Sequence, residues 1–141
     1  MSESTQQPQP ERSDLVQVGA SPKSRDVLDR LKDNGHISDL MDGYRLAIAL
    51  AIGFGRTPSP GVRGDRKTMF AVGNLDPDGA IRETIIEMYP TTRGTPSRAA
   101  EDLAEQGLDI IADSFEGEDI SLTELLARVR KANGADASGR G

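Results

Sequence analysis

The strongest hydrophobic pattern in the chain lies at Ser38–Phe54, SDLMDGYRLAIALAIGF, where an amphipathic first half gives way after Leu46 to side chains that are nearly all apolar. A helix that is apolar all round has to be enclosed by polypeptide, so this segment is expected to be the central helix. The run Leu46–Phe54 is far shorter than the roughly 20 apolar residues that cross a bilayer. Gly53 and Gly55 end it before a Pro-rich loop. Leu46, Ile48, Leu50, Ile52 and Phe54 are therefore candidates for a protein interface, either with the rest of the core or with a second copy.

The flanking patterns supply the other elements. In Asp14–Ala20, DLVQVGA, Val16 and Val18 share one face and Leu15, Gln17 and Gly19 the other, which predicts a short strand. Its partner strand must come from later in the chain or from another copy. Ser21-Pro22 reads as an N-cap followed by proline at the first helical position. Val27, Leu28 and Leu31 then form a narrow apolar stripe that Asn34-Gly35 closes, and Ile37 and Ser38 open the central helix. Met69–Leu75 reads as a second strand interrupted by Gly73. Asp76 can cap a helix from Pro77 with Ile81, Ile85, Met88 and Tyr89 inward, stopped by Pro90. Thr95-Pro96 repeats the cap and proline, and the helix it starts buries Ala100, Leu103, Ala104, Leu108 and Ile111, with Asp102, Glu105, Asp109 and Asp113 facing out. Last, Ser121 with Glu124 makes a capping box and Ile120 with Leu125 a staple. They open a helix whose apolar side is Leu122, Leu125, Leu126 and Val129. The expected fold is mainly α with a minor β component: about five helices packed around residues 38–54, with one or two short strands. One domain, 14–134, lies between tails 1–13 and 135–141 that are too polar to bury.

Composition makes that core thin. Only 35% of residues are hydrophobic and 4% aromatic, with no Trp, so burial shared with a second copy is expected. The absence of Cys excludes disulfides, thiolate zinc sites and thiol nucleophiles. It suits a reducing cytoplasm, and the start MSESTQQPQPERSD has no secretory pattern. The net charge of −6 opposes indiscriminate nucleic-acid binding, but it is unevenly distributed. Residues 12–67 hold ten Lys/Arg against seven Asp/Glu, and residues 76–124 thirteen Asp/Glu against three Arg. The loop Gly55–Thr68 carries Arg56, Arg63, Arg66 and Lys67 against Asp65. It is either a flexible phosphate contact or a solvated loop.

Candidate chemistry is sparse. Asn74, Asp76, Asp78 and Gly79 imitate the start of a calcium loop, but the bidentate Glu is replaced by Ile85 and no entering helix precedes them. The acidic residues from Asp102 to Asp113 have the spacing of a solvated helix face, and nothing apolar surrounds them to raise a pKa. His36 is the single histidine. No nucleophile elbow or phosphate loop is present. No catalytic residue, metal ligand or cofactor is expected.

From Leu15 to Phe54 the order of signals resembles the ribbon-helix-helix domain: Val16 and Val18, Ser21, Leu28 and Leu31, Gly35, Ser38, then Arg45-Leu46-Ala47-Ile48. That resemblance implies an intertwined dimer whose strands present Leu15, Gln17 and Gly19 to the major groove, with Ser38 at the backbone. Of these only Gln17 can hydrogen-bond a base edge through its side chain. The stretch Leu31-x-x-x-Gly35…Arg45-x-Ala47-x-Ala49-Leu50, with Gln106-Gly107-Leu108, is similar to the DndE family of DNA phosphorothioation accessory proteins, which implies a small helical oligomer associated with DNA through basic residues. The joint expectation is a non-catalytic, self-associating cytoplasmic regulator or accessory protein that contacts duplex DNA through Gln17, Lys23, Arg25, Ser38, Arg56, Arg63, Arg66 and Lys67. The alternative is an adaptor whose acidic helices at Ala80–Glu87 and Ala99–Asp113 dock on a larger protein partner.

Overall fold

The computed structural model of the chain describes residues 14–59 and 64–140, with 133–140 as backbone only. The expected tail 1–13, Gly141 and Arg63 lie outside the described residues. The protein is mainly helical, with six α-helices and a two-stranded antiparallel sheet among the described residues.

Proline opens two of the helices, but their caps differ. In α1 (Pro22–Asp33) the Ser21 hydroxyl accepts from the Ser24 N–H at 3.2 Å, as the sequence predicts. In α5 (Pro96–Asp113) Thr95 makes no capping bond. The carboxylate of Asp14 takes that place, accepting from Ser97 and Arg98 N–H at 2.9 and 3.0 Å and so fixing the start of the described chain to the N-terminus of α5. A similar substitution occurs at α2 (Leu40–Gly53), which is capped by Asp39 and not by Ser38. Asp39 is the extended residue directly before the helix and accepts from the Asp42 N–H at 2.9 Å, while the Ser38 hydroxyl donates to the Asp42 carboxylate.

The central helix is enclosed largely by its own chain. Tyr44, Ala47, Ile48, Leu50 and Ala51 of α2 are buried, with α5 as the principal neighbour. The two helices approach so closely at one point that a Cβ on Gly107 would collide with the backbone of Ala47. Gly53 likewise leaves room for Val129 of α6 (Leu122–Arg140). Leu46, Ile52 and Phe54 sit half-buried at the margin of the core.

The strand partner comes from later in the same chain. β1 (Gln17–Ala20) runs antiparallel to β2 (Lys67–Ala71), pairing Gln17 with Ala71 and Val18 with Phe70. A bulge follows, then Gly19 pairs with Thr68 and Ala20 with Lys67. Val16 lies outside β1 and is 80% exposed, whereas Val18 is buried, so the two do not share a packed face. The second strand begins earlier than its apolar run suggests, because Thr68 and Lys67 are held by β1. Val72–Leu75 instead form a single helical turn, α3. The Arg45 guanidinium of α2 donates to the carbonyls of Leu75 and Asn74 at 3.0 and 3.1 Å, satisfying acceptors that a helix end leaves free.

Asp76 does cap the next helix, but from a greater distance. Pro77–Gly79 form a turn, Gly79 has φ of 75°, and α4 (Ala80–Met88) follows with Ile81 and Arg82 N–H both donating to the Asp76 carboxylate at 2.9 Å. Ile85 is buried and Ile81 and Tyr89 half-buried, but Met88 is 53% exposed because the chain turns away at the end of α4 into a 3-10 turn at Pro90–Thr92. Ala100, Leu103, Ala104, Leu108 and Ile111 of α5 are all buried. In α6 Leu125 is buried, Val129 packs on Gly53, and Leu126, on the neighbouring face, is exposed. The backbone of α6 stays helical to Arg140, beyond the expected boundary at residue 134. Lys131, Ala132, Ala135 and Ala137 favour helix, against a cost of about 1 kcal/mol for each of Gly134 and Gly139.

The Gly107 contact gives the first expected outcome. Gly107→Ala should destabilise the protein by about 1–3 kcal/mol, since the colliding atoms are backbone and neither helix can move without disturbing the core. Gly73→Ala in α3 meets open space and should change stability by no more than about 1 kcal/mol. Urea midpoints of the two variants make the comparison.

Candidate nucleic-acid interface

Glu101 is the charged group that sequence reasoning missed. It is 1% exposed, in the middle of α5, and its carboxylate accepts from the Gly19 N–H at 2.8 Å and from the Arg66 guanidinium at 2.9 Å. A buried carboxylate is tolerated only with a partner and hydrogen bonds, and this one has both. One turn on, Glu105 accepts from the Ser21 N–H and hydroxyl at 2.8 and 2.9 Å, and lies 3.9 Å from the Arg66 Nε. The Tyr44 hydroxyl donates to the Gly19 carbonyl at 2.8 Å. Gly19 is required here, because a Cβ would strike the Lys67 carbonyl across the ladder. A signal was available: Glu101, Ala104, Glu105 and Leu108 have the spacing of one helix face, so two carboxylates stand beside a buried stripe.

This network redistributes the expected DNA contacts. Arg66 has a side chain only 10% exposed and belongs to the fold. Lys23 is 66% exposed but pairs with Asp109 at 3.1 Å, and that carboxylate raises its pKa. Arg25 is half-buried, with its Nε enclosed and without a hydrogen-bond partner. Gln17 and Lys67 are exposed on the β1–β2 ribbon. The pairing of Ala20 with Lys67 brings Lys67 beside the first turn of α1, close in the chain trace to Lys23 and Arg25. Arg56 is exposed but distant along the loop, where its backbone carbonyl accepts from the Tyr89 hydroxyl. Ser38 is exposed at the opposite end of α1. Strand register thus sets Lys67 opposite Ala20, next to the helix that carries Lys23 and Arg25, with Gln17 at the other end of β1 and Ser38 beyond the far end of α1.

The acidic face of α5 is also largely occupied. Besides Glu105 and Asp109, Asp102 accepts from the Ser59 N–H and from the Gln106 amide, so three of the four expected outward acids bind within the chain, and Asp113 is exposed. Exposed acids gather instead along α1 at Asp26, Asp29 and Asp33, and in the turn between α5 and α6 at Glu116, Glu118 and Asp119. These two segments are fastened together. Arg30 lies 3.9 Å over the Phe115 ring and donates to the Gly117 carbonyl. The Asn34 amide donates to the Glu118 carbonyl, and His36 contacts Asp119 at 2.7 Å.

Comparison with protein-family models, with curated proteins and with solved structures finds no match to this chain. Among the described residues no group of three or more His, Asp or Glu is arranged to hold a metal ion, and no helix is long and apolar enough to cross a membrane. A small crease between the sheet, α4 and α5 is lined by Val18, Leu75, Ile81, Ile85 and Ala100, together with Asp76 and Arg82. Asp76 is already engaged as a helix cap, so the crease offers little polar chemistry.

Arg66→Ala should cost about 3–5 kcal/mol, the penalty for leaving a buried carboxylate without its cation. Arg56→Ala, at an exposed side chain, should cost no more than about 0.5 kcal/mol. Chemical denaturation of the two variants tests the contrast. Asp119 gives a pH-dependent outcome. The His36 hydrogen bond, then the Ile120 N–H and the Asn34 amide, hold its pKa below the ordinary carboxylate value. Its stabilising contribution is therefore complete above about pH 3.9, the unfolded value, and is lost as pH falls through the lower folded-state value. The melting temperature of Asp119→Asn should lie below that of the wild type near neutrality, and the gap should close in strong acid.

Proposed function

We propose that this chain is a non-catalytic DNA-associated protein of the regulator or modification-accessory kind, which self-associates in the cytoplasm and touches duplex phosphates beside the β1–β2 ribbon. The observation that carries the reading is the strand register that sets Lys67 opposite Ala20, directly before the helix that carries Lys23 and Arg25, with Gln17 exposed on the same ribbon. Gln17 is the exposed residue of β1, whose other three residues are buried, and a glutamine amide can both donate to and accept from a base edge. Three cations on a molecule of net charge −6 supply a modest electrostatic attraction, so binding should be weak and strongly salt-dependent.

A second reading has its own support. The exposed acids of α1 and of the α5–α6 turn form one fastened surface, which suits an adaptor that docks on a basic protein partner. That surface is distinct from the α4 and α5 helices expected from the sequence, because most α5 acids bind within the chain.

Fluorescence anisotropy with a labelled duplex at low ionic strength separates the two. Binding should appear and weaken with a slope of about −2 to −3 in log affinity against log salt. The double variant Lys23→Glu, Lys67→Glu should abolish it. Arg66 is unsuitable for this purpose, since its loss damages the fold. Absence of any anisotropy change at low salt would refute the DNA reading and leave the adaptor.

A further inference from the structure

We propose that Asn34 is a deamidation site held in check by the clasp between the C-terminus of α1 and the α5–α6 turn. Asn-Gly is the dipeptide most open to this reaction, because a glycine offers no side chain to hinder the backbone nitrogen. The nitrogen of Gly35 attacks Cγ of Asn34, a C–N bond forms, the Cγ–Nδ2 bond breaks, and ammonia leaves. Water then opens the five-membered imide at either carbonyl, giving aspartate or isoaspartate at position 34.

Asn34 is exposed, so water reaches it freely. Both reacting groups are nevertheless restrained. The Asn34 amide donates to the Glu118 carbonyl at 2.8 Å and to the Asp119 carboxylate at 3.3 Å. The Gly35 N–H is turned back into the helix end, donating to the Lys32 carbonyl at 3.0 Å. With φ of −85° and ψ of 1°, the Asn34 backbone continues the helical hydrogen bonding, its own N–H donating to the Arg30 carbonyl at 3.0 Å. Attack requires the amide to leave Glu118 and Asp119 and the Gly35 N–H to leave Lys32 together.

The reaction would run in one direction. The neutral donor at position 34 becomes a carboxylate facing the Glu118 carbonyl and the Asp119 carboxylate, so two attractive contacts become repulsive. The Asn34 contacts cannot re-form on the product. What begins as local opening of an exposed turn ends as a lasting weakening of the clasp, which then rests on Arg30 and on the His36–Asp119 contact.

The test is incubation of the full chain at mildly alkaline pH and body temperature, with peptide mapping of the gain of roughly one mass unit and of isoaspartate at position 34. The folded wild type should convert several-fold more slowly than the same chain unfolded in urea. Asp119→Ala should accelerate conversion several-fold under native conditions. Gly107→Ala, which weakens the fold away from the clasp, should accelerate it much less, and Asn34→Gln should abolish the signal. Should Asp119→Ala not fold, the wild type in urea below its unfolding midpoint reads the same local opening, and conversion should rise there before the fold is lost. Equal rates in folded and unfolded wild type would overturn the proposal. So would an acceleration by Gly107→Ala that matches that of Asp119→Ala.

Discussion

The approach of α5 to α2 at Gly107 and Ala47 sets the geometry on which the rest of the protein is built. Backbone meets backbone there, with no side chain on the α5 side, so the helices pack closely through small residues: Ala47 and Ala51 on one, Ala100, Ala104 and Gly107 on the other. A core with few aromatic residues gains contact density through proximity instead of side-chain bulk. The same closeness aligns α5 so that Glu101 and Glu105, lying N-terminal to the crossing, reach the end of β1 and the start of α1. Tyr44, N-terminal to Ala47 on α2, reaches the same strand from the other helix.

An acidic protein with a lopsided charge sequence thereby becomes something other than an electrostatic dipole. The positive residues of the first half and the negative residues of α5 meet within the molecule, as Arg66 with Glu101 and Lys23 with Asp109. The buried pair anchors the basic loop to α5 and sets the register in which β2 joins β1. The exposed pair is worth little to stability, and Lys23 can leave Asp109 for a phosphate at small cost. Charge close in space therefore governs the surface: Lys23 and Lys67 are exposed near the start of α1, and the exposed acids Asp26, Asp29 and Asp33 follow along the same helix.

Much of the fold was legible because it rests on local signals. The cap and proline at Ser21-Pro22, the closing Gly35 with φ of 81°, and the buried stripe from Ala100 to Ile111 all follow from nearest-neighbour chemistry. Three features were not legible, each for a physical reason. Thr95 looks like a cap, but Asp14, a residue more than eighty positions earlier in the chain, supplies the acceptors, and no local pattern encodes that contact. The apolar run that opens residues 69–75 has no alternation, so periodicity alone could not separate strand from helical turn, and Arg45 holds the helical turn by occupying carbonyls of α3. Arg66 was grouped with the other loop cations because sequence cannot tell a solvated guanidinium from one committed to a buried carboxylate. Of the expected contacts, Lys67 and the start of α1 are brought together by strand pairing, while Ser38 lies beyond the far end of α1.

The strand edges constrain how copies of this chain can meet. On β1 the outward N–H and carbonyl of Gly19 are taken by Glu101 and Tyr44, so that side offers no row of free backbone groups. On β2 the extra residue Met69, opposite the step from Val18 to Gly19, breaks the regular ladder, and Lys67 sits at the strand's end. Both are features that discourage another strand from adding to an edge. The self-association we propose therefore has to rely on side-chain burial, and the half-buried Leu46, Ile52 and Phe54 of α2, with the exposed Leu126 of α6, are the apolar positions near that helix still available for it. Such an interface would leave the ribbon free in both copies and double the number of cations offered to one duplex, which matters for a chain of net charge −6.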